Sequence, residues 1–215
     1  MIVLRAVSGS RGDEVMPHAQ RPTYFGLVRR LRTTHRSRPY FFVRALIAQP
    51  FAYNSNNSIT CGTAIGSFLA SGRKLLGICI GCQVIFDRSE ERDTPCLGLI
   101  PGIVRRFPPG TGLKVPHMGW NAMHFTREHP VFDGIPQDTS FYFVHSYYPD
   151  PVDRELVAAV TEYGGEFPSC IARGNLVAFQ CHVEKSGPHG LRLLSNFLSW
   201  DGKWAPAPAR AAAHA

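Results

Sequence analysis

The sequence predicts an α/β fold with a mostly parallel central sheet flanked by helices. Three observations carry this prediction. Short uncharged apolar runs recur, of a length that suits buried parallel strands. Segments with a helical apolar stripe alternate with them, the rhythm of an α/β sheet. The bulk agrees, since 215 residues with 44% apolar and 18% charged side chains can bury one full core.

In chain order, residues 1–62 form an atypical basic segment without a recognisable fold pattern. Arg and Ser recur there without helical or strand period, and Pro17, Pro22, Pro39 and Pro50 interrupt it. Only Tyr40 to Ala48 reads as a strand. The regular pattern occupies residues 63–200. It starts with a helix whose apolar face is Ala64, Ile65, Phe68 and Leu69, stopped at Ser71-Gly72. Lys74 to Cys79 reads as a buried parallel strand, and a helix comes next from Gly81 to Glu91. Phe141 to Val144, Leu156 to Val160 and Leu176 to Gln180 read as further strands. The last helix spans 189–199, with Leu191, Leu194 and Leu198 spaced along one face. Residues 201–215 are rich in Ala and Pro and are predicted to form a disordered tail.

The formal charge of +7 sits entirely in residues 1–60, where nine Arg face only Asp13 and Glu14. That segment lacks the aromatic interleaving or groove-reading helix expected of a nucleic-acid binder. No uncharged apolar run approaches the roughly 18 residues that span a bilayer, and Arg44 interrupts the best candidate. With no apolar leader at the start, a cytoplasmic location and six free thiols are expected. The spacing of His117, His124 and His129 fits no metal-binding pattern, so no metal is expected.

Gly77-Ile78-Cys79-Ile80-Gly81 has the shape of a nucleophile elbow: a buried strand ends, the chain turns at Cys79, and a helix starts. Small residues two before and two after the nucleophile let backbones approach. The helix start would favour a thiolate. A buried structural cysteine among packing glycines fits the local pattern equally well. His182-Val183-Glu184 comes after the run Leu176 to Gln180 and so also lies at a strand end. A nucleophilic Cys needs a base, and the base needs an acceptor on its far ring nitrogen; His182 and Glu184 supply both types.

With these residues in place, segments 74–198 resemble the glutamine amidotransferase subunit of imidazole glycerol phosphate synthase, a class I, triad-type family with a flavodoxin-like fold. The matching segments are LLGICIGCQVIFDRSEE (75–91), GLIPGIVRRF (98–107), VPHMGWN (115–121), FYFVHSYY (141–148) and HVEKSG (182–187). The elbow and His-x-Glu are shared across the class, whereas VPHMGWN and FVHSYY select this subunit. The resemblance implies hydrolysis of glutamine through a Cys79 thioester, with His182 as base and Glu184 orienting it. It implies that Gln83, His145, Ser146 and Tyr147 line the glutamine site and that the Ile80 N–H supplies half an oxyanion hole. No cofactor is implied. Ammonia would pass to a cyclase subunit, a (β/α)8 barrel in a 1:1 heterodimer, in histidine biosynthesis. Met118, Trp120, Tyr142 and Lys185 match positions at that subunit interface; read without the resemblance, Trp120 and Tyr142 are ordinary core aromatics and Lys185 is a solvated lysine.

The chain also departs from the family. Nothing in residues 1–62 matches the family's opening strand and D-Y-G-x-G-N turn, and no P-G-V-G oxyanion loop stands near Arg44 to Ile47. A shifted reading frame or degeneration would produce such a segment, and resequencing the coding DNA tests it. Losing one oxyanion donor costs roughly 10²–10³ in rate, so an impaired or inactive homologue that at most binds the cyclase stands beside the active reading. Cys181 and Val183 replace Phe and Pro of the family's Q-F-H-P-E, and Cys82 creates Cys79-x-x-Cys82, the pattern of a redox dithiol.

Overall fold

Leu75-Leu76-Gly77-Ile78 is apolar on both alternating faces, so a strand made of it must be covered on both sides. The computed structural model, which describes residues 2–6, 41–45, 55–109 and 112–205, builds the domain around this strand. In chain order the elements are β1 (Ile2–Ala6), β2 (Phe41–Ala45), α1 (Ser55–Ala70), β3 (Leu75–Ile78), α2 (Ile80–Gln83), β4 (Arg88–Ser89), β5 (Thr94–Pro95) and β6 (Gly102–Arg106). Then come β7 (His117–Phe125), β8 (Thr139–His145), β9 (Tyr147–Pro151), β10 (Val157–Glu162), β11 (Glu166–Arg173), β12 (Leu176–Phe179) and α3 (Gly187–Ser199).

Eight strands form the main sheet in the order β2-β1-β3-β12-β11-β10-β7-β8. Pairing is parallel from β2 to β12 and antiparallel from β12 to β8. The α/β class is the one predicted, with its parallel pairing confined to the half that carries β3. A smaller sheet, β5-β4-β6-β9, flanks it.

The period of two places a core on each face. Leu76 and Ile78 of β3 join Val177 and Phe179 of β12 and, from α3, Leu193 and Phe197. Leu75 joins Leu176 and Ala178 on the opposite face, with Ile65 and Phe68 of α1 and Ile85, Phe86, Ile100 and Val104. Each fully buried Leu, Ile or Phe of this kind contributes about 1.5–3 kcal/mol relative to exposure.

Three expectations are corrected. The helix expected from Gly81 to Glu91 stops at Gln83. The carbonyls that would extend it are taken by the 97–100 loop: Val84 O accepts from Leu97, Phe86 O from Gly98, and Ile85 O from Leu99 and Ile100. The buried face of α3 is Gly190, Leu193 and Phe197, while Leu191 and Leu198 are 65% and 50% exposed. The face predicted from the leucines is thus out of phase, because bulky Phe197 fills the core and Gly190 permits a close approach that a leucine would block. Residues 201–205 are not free tail: Trp204 donates Nε1–H to the Glu128 carbonyl at 2.8 Å and packs 5.3 Å from the His129 ring. Residues 206–215 lie outside the described residues. On the side away from β12, β1 pairs with β3 from Ile2↔Leu75 to Leu4↔Gly77. β2 falls within the predicted strand Tyr40 to Ala48, and the position expected for an oxyanion loop lies partly beyond it, outside the described residues.

Candidate active site

β3 and β12 are adjacent, parallel and in register, with Ile78 opposite Phe179. The segments leaving their C-terminal ends therefore emerge at the same sheet edge. Cys79 is the first residue after β3, and its N–H donates to Phe179 O at 2.8 Å. His182 comes three residues after β12. Topology thus brings together residues a hundred positions apart, and the ligand edge of an α/β sheet is where they meet.

The turn at Cys79 has φ 53° and ψ −109°. A non-glycine residue is strained in that conformation, which persists only where the surroundings impose it. The surroundings here are close. A Cβ added at Gly77 would lie 2.7 Å from Gly81 O and 2.8 Å from the Ala178 side chain, so only glycine fits. Ile80 opens α2 directly after the sulfur. Because α2 is only four residues long, its dipole is smaller than that of the expected helix. His182 is the ionisable side chain coupled to the Cys79 sulfur.

His182 Nδ1 lies 2.9 Å from Glu184 Oε1, which leaves the other ring nitrogen for Cys79. Burial disfavours the imidazolium, but the hydrogen bonds to Cys79 and Glu184 and the charges of these two groups together outweigh it and hold the His182 pKa up at about 9. The turn carrying His182 is fixed to β8. Its N–H donates to Tyr142 O at 2.8 Å, while Ser186 Oγ donates to His182 O at 2.7 Å and accepts from Tyr142 N at 3.0 Å. Gly190 allows α3 to sit against this turn, since a Cβ there would run into the Val183 carbonyl. The apolar replacements Cys181 and Val183 are both fully buried. They pack as small hydrophobes.

The C-terminal end of β8 borders the sulfur. Cys79 Sγ is 3.9 Å from Val144 O, and Gln180 Nε2 approaches Sγ at 3.9 Å. Gln83 donates Nε2–H to Tyr147 O at 2.8 Å and to Gln180 Oε1 at 3.0 Å. Both its N–H groups are thereby engaged, so toward a ligand it offers chiefly Oε1. His145 is buried, with Nδ1 2.8 Å from Tyr147 O and Nε2 3.0 Å from His117 Nδ1. Ser146 and Tyr147 are half-buried at the same edge. Cys79, Ile80, Gln83, His145, Ser146, Tyr147, His182 and Glu184 thus gather in one place.

The four remaining candidates form a separate surface. Met118 and Trp120 are 58% and 59% exposed on β7. Trp120 faces Tyr142 across the ladder, with ring centroids 6.0 Å apart, and Lys185 is exposed in the turn after His182. Trp120 is therefore not a core aromatic.

Two residues not singled out from the sequence belong to the site. Gln180 is fully buried between Gln83 and the sulfur; an amide closing an otherwise apolar strand was the available signal. Ser186 joins the His182 turn to β8; it lies within the HVEKSG segment, but nothing in that segment assigns it a role. The dithiol idea fails on burial: Cys82 is fully inaccessible, and burial, then the Cys79 sulfur, push its thiol far above the ordinary range. The three histidines weighed as a metal set have separate settings, His117 on His145, His124 on Asp138, and His129 accepting from Val131 N.

Comparison with known proteins agrees with this geometry. The sequence model of the family "Glutamine amidotransferase class-I" matches residues 54–200. The chain is similar to "Imidazole glycerol phosphate synthase subunit HisH" of Aromatoleum aromaticum, 50% identical over 138 residues, covering 61% of this chain and 65% of that protein. It is also similar to the protein of that name from Nitrosococcus oceani, 52% identical over 135 residues, covering 62% of this chain and 65% of the other. The chain thus spans just under two thirds of the length of these relatives. In fold it is similar to a solved structure, PurLQS from Thermotoga maritima, with TM-score 0.51 and 16% identity, covering 64% of this chain and 66% of that one. With the family match spanning well over half of the sequence, the chain belongs to the class-I glutamine amidotransferases.

Proposed function

We propose that this chain is the glutamine-hydrolysing subunit of an imidazole glycerol phosphate synthase, working with a cyclase subunit in histidine biosynthesis in the cytoplasm. One observation carries the chemistry: the linked contacts from Cys79 to His182 and from His182 to Glu184 at the common edge of β3 and β12. The similarity to the two named synthase subunits supports the pathway assignment. Among the described residues no helix is long and apolar enough to cross a membrane.

In the reaction, the Cys79 sulfur attacks the glutamine carboxamide carbon, and the thiol proton resides on His182. His182 delivers that proton to the departing nitrogen, and ammonia leaves a glutamyl thioester on Cys79. His182 then takes a proton from water, which attacks the thioester; glutamate departs and the thiol is restored. Glu184 accepts the Nδ1–H of His182, fixing the tautomer and the imidazolium. The Ile80 N–H is one oxyanion donor. Gln83, His145, Ser146 and Tyr147 border the place where glutamine would lie. Met118, Trp120, Tyr142 and Lys185 form the face for a (β/α)8-barrel cyclase in a 1:1 complex, an exposed Met and aromatic pair of the kind enriched in interfaces.

The test is glutamate release from glutamine by the purified protein, alone and with a cyclase subunit and its ribotide substrate. Turnover that requires the cyclase and disappears in Cys79→Ala and in His182→Ala is the expected result. A soluble protein that binds the cyclase without turnover would instead mark an impaired homologue, limited by its missing oxyanion loop.

A further inference from the structure

We infer that His117 is a positioning residue for the glutamine pocket: its Nδ1–H fixes His145 in the tautomer that holds the Tyr147 carbonyl. The inference rests on the glutamine-hydrolysing reading for the identity of the ligand, but its geometry stands by itself.

The direction of the hydrogen bonds is set from both ends. At one end, Asn121 Oδ1 accepts from Ala122 N at 2.8 Å, and Asn121 Nδ2 donates to Glu162 O at 2.9 Å. A backbone N–H can only donate and a carbonyl can only accept, so the amide orientation is settled. The second Nδ2–H of Asn121 then points at His117 Nε2, 3.3 Å away. That nitrogen must be bare, and the proton of a neutral His117 sits on Nδ1. His117 Nδ1 is 3.0 Å from His145 Nε2, so it donates there. His145 in turn carries its proton on Nδ1, 2.8 Å from Tyr147 O. At the other end Tyr147 O accepts only, which demands the same tautomer independently. The two ends agree.

The rings are held so that this relay cannot relax. His117 is stacked between Tyr163, at 3.9 Å between centroids, and Phe143, at 5.0 Å. His145 packs against Phe107 and Phe167, each 5.2 Å away. Burial pushes the pKa of His117 down to about 4 and that of His145 down to about 3, so both stay neutral near pH 7 and the relay keeps one direction.

Its output is the Tyr147 carbonyl, which also accepts from Gln83, which holds Gln180 against the Cys79 sulfur. His117 touches none of the reacting atoms. It acts through His145 on the stretch of backbone that borders the ligand. Removing its donor leaves His145 Nε2 buried and unpaired, or lets the ring change tautomer and set a bare nitrogen against the carbonyl.

The experiment compares His117→Phe, which keeps the stacking ring without a donor, with His117→Asn, whose amide nitrogen can stand near the position of Nδ1. In the presence of the cyclase and its substrate, His117→Phe is expected to raise the glutamine KM about tenfold, the worth of one lost buried hydrogen bond, with kcat changed by less than about twofold. His117→Asn should recover most of that loss. An unchanged KM, or a loss confined to kcat, overturns the inference. A second arm needs no turnover: nitrogen-15 histidine spectra of the free wild-type protein should show Nδ1–H tautomers at both His117 and His145. A proton on Nε2 of either ring overturns the inference. An inactive wild type with the expected tautomers sinks the glutaminase reading and not this relay.

Discussion

The φ of 53° at Cys79 sets the sulfur out of the strand and toward His182, and the pair is then defined by what surrounds His182. Its pKa lies at about 9 because the hydrogen bonds and charges of Cys79 and Glu184 together exceed the burial penalty. The sign comes from linkage. A pKa raised in the folded state adds stability that is complete below the unfolded value, near 6.5, and is lost as pH rises through about 9. In the proposed reaction this proton is the one the leaving ammonia needs, so activity should carry an alkaline limb near pH 9. Glu184→Gln replaces a carboxylate by a neutral amide and removes one of the raising contacts. The limb should move to lower pH, and kcat should fall on the order of 10²-fold, the scale of a weakened acid–base partner. A pH profile of glutamate release by both proteins measures this. A limb in the same place in the variant would mean that Glu184 does not govern the His182 proton.

At the scale of elements, a single lysine joins the core strand to the last helix. Lys74, immediately before β3, donates from Nζ to Phe197 O at 3.0 Å, Leu198 O at 2.9 Å and Trp200 O. These are carbonyls at the C-terminal end of α3, where the helix dipole is negative and no intrahelical partner exists. Desolvation lowers the Lys74 pKa, and Asp201 works against that shift. Lys74→Met keeps the aliphatic stem and deletes the donor. It should cost about 1–3 kcal/mol, a fall in Tm of roughly 2–10 °C for a domain of this size. Thermal denaturation decides it, and an unchanged Tm would show that water replaces the ammonium without loss. The same elements show what is legible in the sequence. β3, β12 and the nucleophile–base pair are readable because uncharged runs and short local motifs encode them. β7 is not, because His117–Phe125 mixes buried and exposed residues without clean alternation, and β11 is not, because Pro168 and Ser169 interrupt its apolar run. The early end of α2 is hidden because its competitor, the 97–100 loop, is distant in sequence. The His117–His145 contact joins two strands whose cross-strand register only the fold supplies.

For the whole molecule, the question is how β3 is supported on the side away from β12. β1 and β2 provide that support by parallel pairing, Ile2–Ala6 against Phe41–Ala45 and Ile2–Leu4 against Leu75–Gly77. The family match begins only at residue 54, so these strands lie outside the part of the chain that is recognisable from sequence. Position in the sheet, and not sequence pattern, gives them their importance. β3 is buried along its whole length and carries Cys79 at its end. An unpaired edge there would expose backbone donors and acceptors beside apolar side chains, a template for aggregation. Val3→Pro removes an N–H and fixes φ in the middle of β1, which lies between β2 and β3 and so has no free edge to accommodate proline. This substitution should destabilise by about 2 kcal/mol or more and shift the purified protein toward aggregates in size-exclusion chromatography. Deleting residues 1–45 should do so more strongly. A deletion variant that stayed monomeric, melted at the wild-type temperature and kept the Cys79–His182 chemistry would show that β3 stands without either strand, and that the basic segment contributes nothing to the active edge.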